Sequence, residues 1–295
     1  MSKGRYWMPY VEYISRSNPG CIIILIDQSA SMGGPFGGDP RVRKCNVVAD
    51  ATNKLLNTLI IACQIVQRVN GRYSHEFDVG VIGYGGPNGV GPAFTHPQLS
   101  GKDLIPIPDI ADNAEYEQRQ RSIADRTSRS EQETIQYPVW LKAVAYNGKP
   151  MCEALKRTKQ ILNDWILKHM QSFPPIVINI TDGEVTDGTI QEMIDNGNAI
   201  KALSTNDGNV LLFNVHISSS NVQGILFPAT VNEIPDEYGR ALFEMSSPLT
   251  DLMITKAKRI SGKYQSLSPR SKGCGFNNDF EQFIHFLKIG ASFEK

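Results

Sequence analysis

The chain has 295 residues, of which 41% are hydrophobic and 20% charged, a balance that suits a globular protein with a sizeable core. Thirty Lys and Arg residues match thirty Asp and Glu, so no global field draws in nucleic acid or an anionic membrane. No apolar run reaches the ~20 residues that span a bilayer, which sets a membrane protein aside.

Residues 1–19 form an N-terminal arm without a continuous apolar segment, so no targeting signal is expected and a cytoplasmic setting is. The arm gathers Tyr6, Trp7, Tyr10 and Tyr13, and docking on the protein's own surface is the plainer expectation over a partner-binding role. Then CIIILI runs straight into Asp27, a buried strand followed by Ser29, Ser31 and glycines. Apolar residues from Val47 to Val66 recur at helical spacing, predicting a helix over 42–69 that Asn70-Gly71 would cap. A strand is predicted at 77–84, broken by the glycines that follow.

The stretch 86–136 begins Gly/Pro-rich and is strongly polar over 112–133, which reads as an edge strand followed by an exposed helical insert with solvated charges. Order returns with a helix from Met151, a strand at 176–180, a helix at 190–203 and a strand at 210–217. A C-terminal helical extension over 221–295 carries helices at 249–260 and 279–289, with SLSPRSKGCG as a loop between them. Strands that are nearly continuously apolar and alternate with helices imply an α/β, Rossmann-like fold, with a mostly parallel central sheet covered on both faces. One domain over 20–295 is expected. The five cysteines are scattered without a CxxC pair and read as reduced thiols used in packing.

In such a sheet ligands gather at the carboxyl ends of the strands. Two strands end there in oxygen-rich loops, one giving Asp27, Ser29 and Ser31, the other Thr181, Asp182, Gly183, Glu184 and Asp187. Residues i, i+2 and i+4 of an extended turn face a common point, and Asp182 adds a fourth oxygen donor. Oxygen ligands with few carboxylates suit Mg²⁺ or Mn²⁺. The plainer alternative makes Asp27 and the serines caps for loose backbone N–H groups. Glu184 and Asp187 read first as loop-surface or helix N-terminal charges. GGPFGGDP is followed by no G-K-[ST], and the five histidines show no ligand spacing, so neither points to chemistry.

Asp27-Gln28-Ser29-Ala30-Ser31 and Thr181-Asp182-Gly183 resemble the D-x-S-x-S and T-D-G motifs of the von Willebrand factor A family and its metal-ion-dependent adhesion site. VGVIGYGG and PPIVINITDGEVTDG are similar to bacterial cytoplasmic members of tellurite-resistance type. The resemblance implies a non-catalytic interaction module. Ser29 and Ser31 would ligate Mg²⁺ or Mn²⁺ directly, Asp27 and Asp182 directly or through water, and a partner's Asp or Glu would complete the shell. It also implies partners such as the kinases or phosphatases of a stress-response system. One position departs: Asn147-Gly148-Lys149-Pro150-Met151 places Lys149 where the family has a threonine ligand. A protonated lysine cannot ligate. Either it swings into solvent and leaves a weaker metal site, or its ammonium takes the cation's place beside Asp27 and Asp182, or the turn aligns differently. Thr181, Lys149 and Glu184 are thus candidates for modulating the site or contacting the partner.

The enzyme alternative is a phosphatase of haloacid-dehalogenase type, with Asp27 as nucleophile and Lys149, Asp182 and Asp187 in support. That chemistry needs a general acid two residues after the nucleophile, where this chain has Ser29, which has no useful acidity near neutral pH. No G-x-S-x-G surrounds either serine, which leaves serine-nucleophile hydrolysis weaker still.

Overall fold

The computed structural model of the chain describes residues 9–66, 73–124, 130–219, 224–278 and 280–290. At its centre is an eight-stranded sheet. Strand β1 (Gly20–Asp27) is buried along its whole length. It lies in parallel between β2 (Phe77–Gly86) and β3 (Ile176–Thr181), and β4 (Leu211–His216) continues the parallel order beyond β3. A short strand β5 (Cys274–Phe276) pairs in parallel with β4. Only the edges are antiparallel: Ile225–Leu226 on β5, and Gly89–Pro92 and Ile105–Pro106 on β2.

Alternate side chains of β1 serve opposite faces, as the two-residue period of a strand requires. Ile22, Ile24 and Ile26 pack in one core with helices α1 (Lys44–Val66), α5 (Asp251–Ile260) and α6 (Phe280–Gly290). Cys21, Ile23 and Leu25 pack in the other with α2 (Met151–Ile166), α3 (Ile190–Lys201) and α4 (Glu237–Met245). Burial on both faces is why this strand is a continuous apolar run rather than an alternating one. All five cysteines are buried. Among the described residues, no helix is long and apolar enough to cross a membrane.

The chain order fixes where a site can form. From β1 the chain adds β2 on one side, then returns to build β3 and β4 on the other. The crevice outside the carboxyl ends of β1 and β3 is therefore the switch point of the sheet, where flanking loops diverge and leave space. Register levels the two strands there: Ile26 pairs with Ile180, and Thr181 with His216 of β4.

Two expectations are corrected. Among the described residues, the polar stretch after Asp112 is not helical: Glu115–Ala124 and Ser130–Val139 form a ten-rung antiparallel hairpin in a sheet of its own. Its charges alternate at period two. Arg119 of this hairpin lies over the Tyr137 ring at 3.9 Å and reaches Asp50 of α1 at 2.9 Å. Cross-strand pairing of this kind stabilises a ribbon where a helix would scatter the same residues. The C-terminal extension is not purely helical either, because β5 and Ile225–Leu226 complete the sheet. Gly273 allows this close approach, since a Cβ there would stand 2.0 Å from the Phe213 ring.

The predicted cap Asn70-Gly71 and the aromatics Tyr6 and Trp7 lie outside the described residues. Tyr10 docks on the protein's own body: its N–H donates to the Asp207 carbonyl at 2.9 Å and its ring meets Phe173 at 6.0 Å. Tyr13 is exposed, while Ile14 of the same arm is part of the core.

Candidate functional site

The end of β1 drives Asp27 out of the core but not into water; its side chain is fully buried. One carboxylate oxygen, Oδ1, accepts the Ser29 N–H at 2.9 Å. The other, Oδ2, accepts the Thr181 hydroxyl at 3.0 Å and the Asp182 N–H at 3.4 Å. After Asp27 a 3-10 turn (Ala30–Gly33) turns Ser31 toward the second loop. The Ser29 and Ser31 hydroxyls lie 3.0 Å apart, and Ser31 donates to Asp182 Oδ1 at 2.8 Å. The two oxygen-rich loops thus meet, and Asp27, Ser29, Ser31, Thr181 and Asp182 form one cluster.

Lys149 enters the middle of that cluster. Its Nζ sits 3.2 Å from Asp27 Oδ2 and hydrogen-bonds Asp182 Oδ1. The backbone delivering it is held from two sides. The Asn147 N–H donates to the Gly85 carbonyl at 3.0 Å, and the Lys149 N–H to the Thr186 hydroxyl at 2.7 Å. Gly85 has φ +84°, and a Cβ there would meet the Gly148 carbonyl oxygen at 2.2 Å, so only glycine lets this turn come so close.

A second ammonium, unanticipated from the sequence, completes the arrangement. Lys44 Nζ donates to Asp182 Oδ2 at 2.7 Å and to the Ser219 hydroxyl at 2.9 Å. Lys44 is the first residue of α1, where a cation opposes the helix dipole. Its carboxylate partner supplies the compensation. The signal in the sequence was that mismatch, a lysine where a helix start favours an acid or a hydroxyl.

The electrostatics follow from burial and pairing. Burial pushes the Asp27 carboxyl up from its usual range, against the pull of Lys149. Burial acts the same way on Asp182, but Lys149 and Lys44 outweigh it and hold that carboxyl below its usual range. Burial would lower Lys149, yet Asp27 and Asp182 raise it, so it stays charged. Two carboxylates facing two ammoniums make the cluster neutral.

Above the cluster opens a cleft of about 540 Å³, with Ser29, Ser31 and Lys149 in its wall and Glu184, His216 and Asp236 around it. His216 stacks on Phe276 at 4.7 Å, and burial lowers its pKa so that it is neutral near pH 7. Asp187 is not drawn into the cleft's chemistry. Its carboxylate caps α2, accepting the Cys152 and Glu153 N–H groups at 3.1 and 2.8 Å. Beneath the site, the buried Tyr84 hydroxyl donates to Asn179 at 3.0 Å, a polar support that the apolar strand pattern conceals.

Whether Mg²⁺ or Mn²⁺ suits this site depends on the space where the oxygens converge. The Lys149 ammonium stands between the two carboxylates, and Lys44 holds the outer face of Asp182. A divalent ion at the same point would meet an ammonium at contact distance, with no uncompensated negative charge to receive it. With Lys149 in place, the residues do not fit the ion.

No protein-family model matches the chain, and no curated protein matches it. Among solved structures, the manganese-loaded TRAP protein of Plasmodium vivax is 16% identical with a TM-score of 0.37, covering 71% of this chain and 61% of its own. The von Willebrand factor type A protein of Catenulispora acidiphila is 14% identical with a TM-score of 0.36, covering 68% and 33%. Proximal thread matrix protein 1 of the mussel byssus is 15% identical with a TM-score of 0.38, covering 81% and 43%. The chain spans less than two thirds of the length of each.

Proposed function

We propose that the chain is a non-catalytic interaction module that receives an acidic side chain of a protein partner in the cleft at the sheet's switch point. The observation that carries this reading is that Lys149, whose ammonium pairs with Asp27 and Asp182, lines the cleft beside the exposed residue Ser31. An incoming carboxylate accepts from Ser31 and Lys149 and displaces one of their contacts to Asp182, which keeps Lys44. Glu184 and Asp236 add negative charge around the cleft, so the acidic group is best presented beside a basic residue that offsets them. The motif resemblance extends the proposal to a partner from a bacterial stress-response system of tellurite-resistance type, one of its kinases or phosphatases. In that reading Asp27, Ser29, Ser31, Thr181 and Asp182 build the floor, and Lys149 and Glu184 tune what it accepts.

The phosphatase alternative is disfavoured by the surroundings of Asp27. A nucleophilic carboxylate must reach phosphorus, and this one is fully buried with both oxygens occupied. Mg²⁺-dependent hydrolysis of an aryl phosphate, abolished by Asp27→Asn, would overturn the non-catalytic reading.

The binding proposal is tested by ¹⁵N NMR titration with a short peptide carrying Glu beside Arg, against the same peptide with Gln. Shifts at the Ser31, Gly148 and Gly183 amides with the Glu peptide alone support it. Equal response to both peptides, or none, rejects it.

A further inference from the structure

We infer that the cation of this site is part of the chain: the Lys149 ammonium permanently occupies the point where the Asp27, Ser29, Ser31 and Asp182 oxygens converge, and recognition there needs no divalent metal. This deepens the function proposed above, since it specifies how the same cleft meets its partner.

Three independent features carry the inference. The first is position. Lys149 Nζ contacts a carboxylate from each loop, Asp27 at the end of β1 and Asp182 after β3, and so bridges the two strand ends as a shared ion would. The second is charge. Lys44 gives Asp182 a second ammonium on its other oxygen, so two positive groups meet two negative ones with nothing left over for a dication. The third is fixation. The Lys149 backbone is gripped by Thr186 in both directions, donating to its hydroxyl at 2.7 Å and accepting its N–H at 3.0 Å. Gly85 then allows the preceding turn to press against β2 with no room for a side chain between them. The lysine is thus built into the site rather than passing over it.

A tethered ammonium has different consequences from a bound ion. It cannot be lost by chelation, its local concentration is constant, and it meets a partner through an N–H donor rather than an open coordination position, two of its three donors already facing Asp27 and Asp182. A partner carboxylate would bind it by charge-assisted hydrogen bonding, so its affinity falls with ionic strength but not with EDTA.

Calorimetric titration with Mn²⁺ of the wild type, Lys149→Thr, and the double variant Lys149→Thr/Lys44→Met tests this. The wild type is expected to bind no Mn²⁺ at millimolar concentration. At least one variant is expected to gain a site that Ser29→Ala/Ser31→Ala removes. Side-chain ¹⁵N NMR of the wild type should show a protected Lys149 ammonium signal unmoved by Mn²⁺. Wild-type binding that depends on Ser29 and Ser31 would overturn the inference, as would failure of both folded lysine variants to gain a site. The peptide titration separates the two proposals. If Mn²⁺ binds the wild type but the Glu peptide still docks, the internal cation falls and the interaction module stands. If the peptide fails with and without metal while the wild type ignores Mn²⁺, the reverse holds.

Discussion

Replacing Lys149 by methionine keeps most of the side chain's length and removes only its charge and donors. In the wild type the ammonium lies 3.2 Å from Asp27 Oδ2, with both groups buried. At an effective dielectric of ~20, attraction across such a distance is about 5 kcal/mol, part of which is spent on desolvating the charges. Removing one member of a buried pair typically costs ~3–5 kcal/mol, because the other is left uncompensated. Asp27 keeps its bonds from Ser29 and Thr181, and Asp182 keeps Lys44, which places the loss near the lower end, about 3 kcal/mol. For a chain of this size, that corresponds to a fall in melting temperature of roughly 5 °C.

The loss also acquires a sign with pH. In the variant, Asp27 has a folded-state pKa raised still further above its unfolded value. A group raised in this way contributes stability below the unfolded value that is lost as pH rises through the folded one. Circular-dichroism melts at pH 5 and pH 8 should therefore show the larger deficit at pH 8. A deficit under ~1 kcal/mol, equal at both pH values, would refute the buried pairing itself.

Gly85→Ala forces a side chain into a left-handed backbone and against the Gly148 carbonyl, and should cost at least ~1–2 kcal/mol in urea unfolding while displacing the Lys149 turn. Asp187→Ala removes the cap of α2 and should cost ~0.5–2 kcal/mol with the Glu-peptide response preserved, since this residue serves the helix and not the cleft. Ser31→Ala should cost only ~0.5–1.5 kcal/mol but abolish the peptide response, because its hydroxyl is the exposed donor at the floor.

What the sequence made legible is what local physics enforces. The apolar run before Asp27 and the apolar strand before Thr181-Asp182 could only be buried parallel strands, and the carboxyl ends of such strands are where sites form. The partners of those residues depended on geometry that no local pattern carries. Lys149 stood at a position with several open outcomes, and its direction was decided by Gly85 and Thr186, distant in sequence. Lys44 carries no local signal of its role, since a lysine at a helix start is ordinarily a solvated charge and its acceptor lies 138 residues away. The strand pair at 115–124 and 130–139 was hidden by composition: a dense mix of charge and amide reads as an exposed helix unless its two-residue alternation is weighed. Strand β5 is three residues long with glycine at its middle, too short to show any period.

The most direct measurement repeats the Glu-peptide titration in EDTA and again in Mg²⁺, following the Ser31, Gly148 and Gly183 amides. An interaction site whose cation is Lys149 gives the same affinity in both, and loses it in Lys149→Met. Binding that vanishes in EDTA and returns with Mg²⁺ would contradict the account.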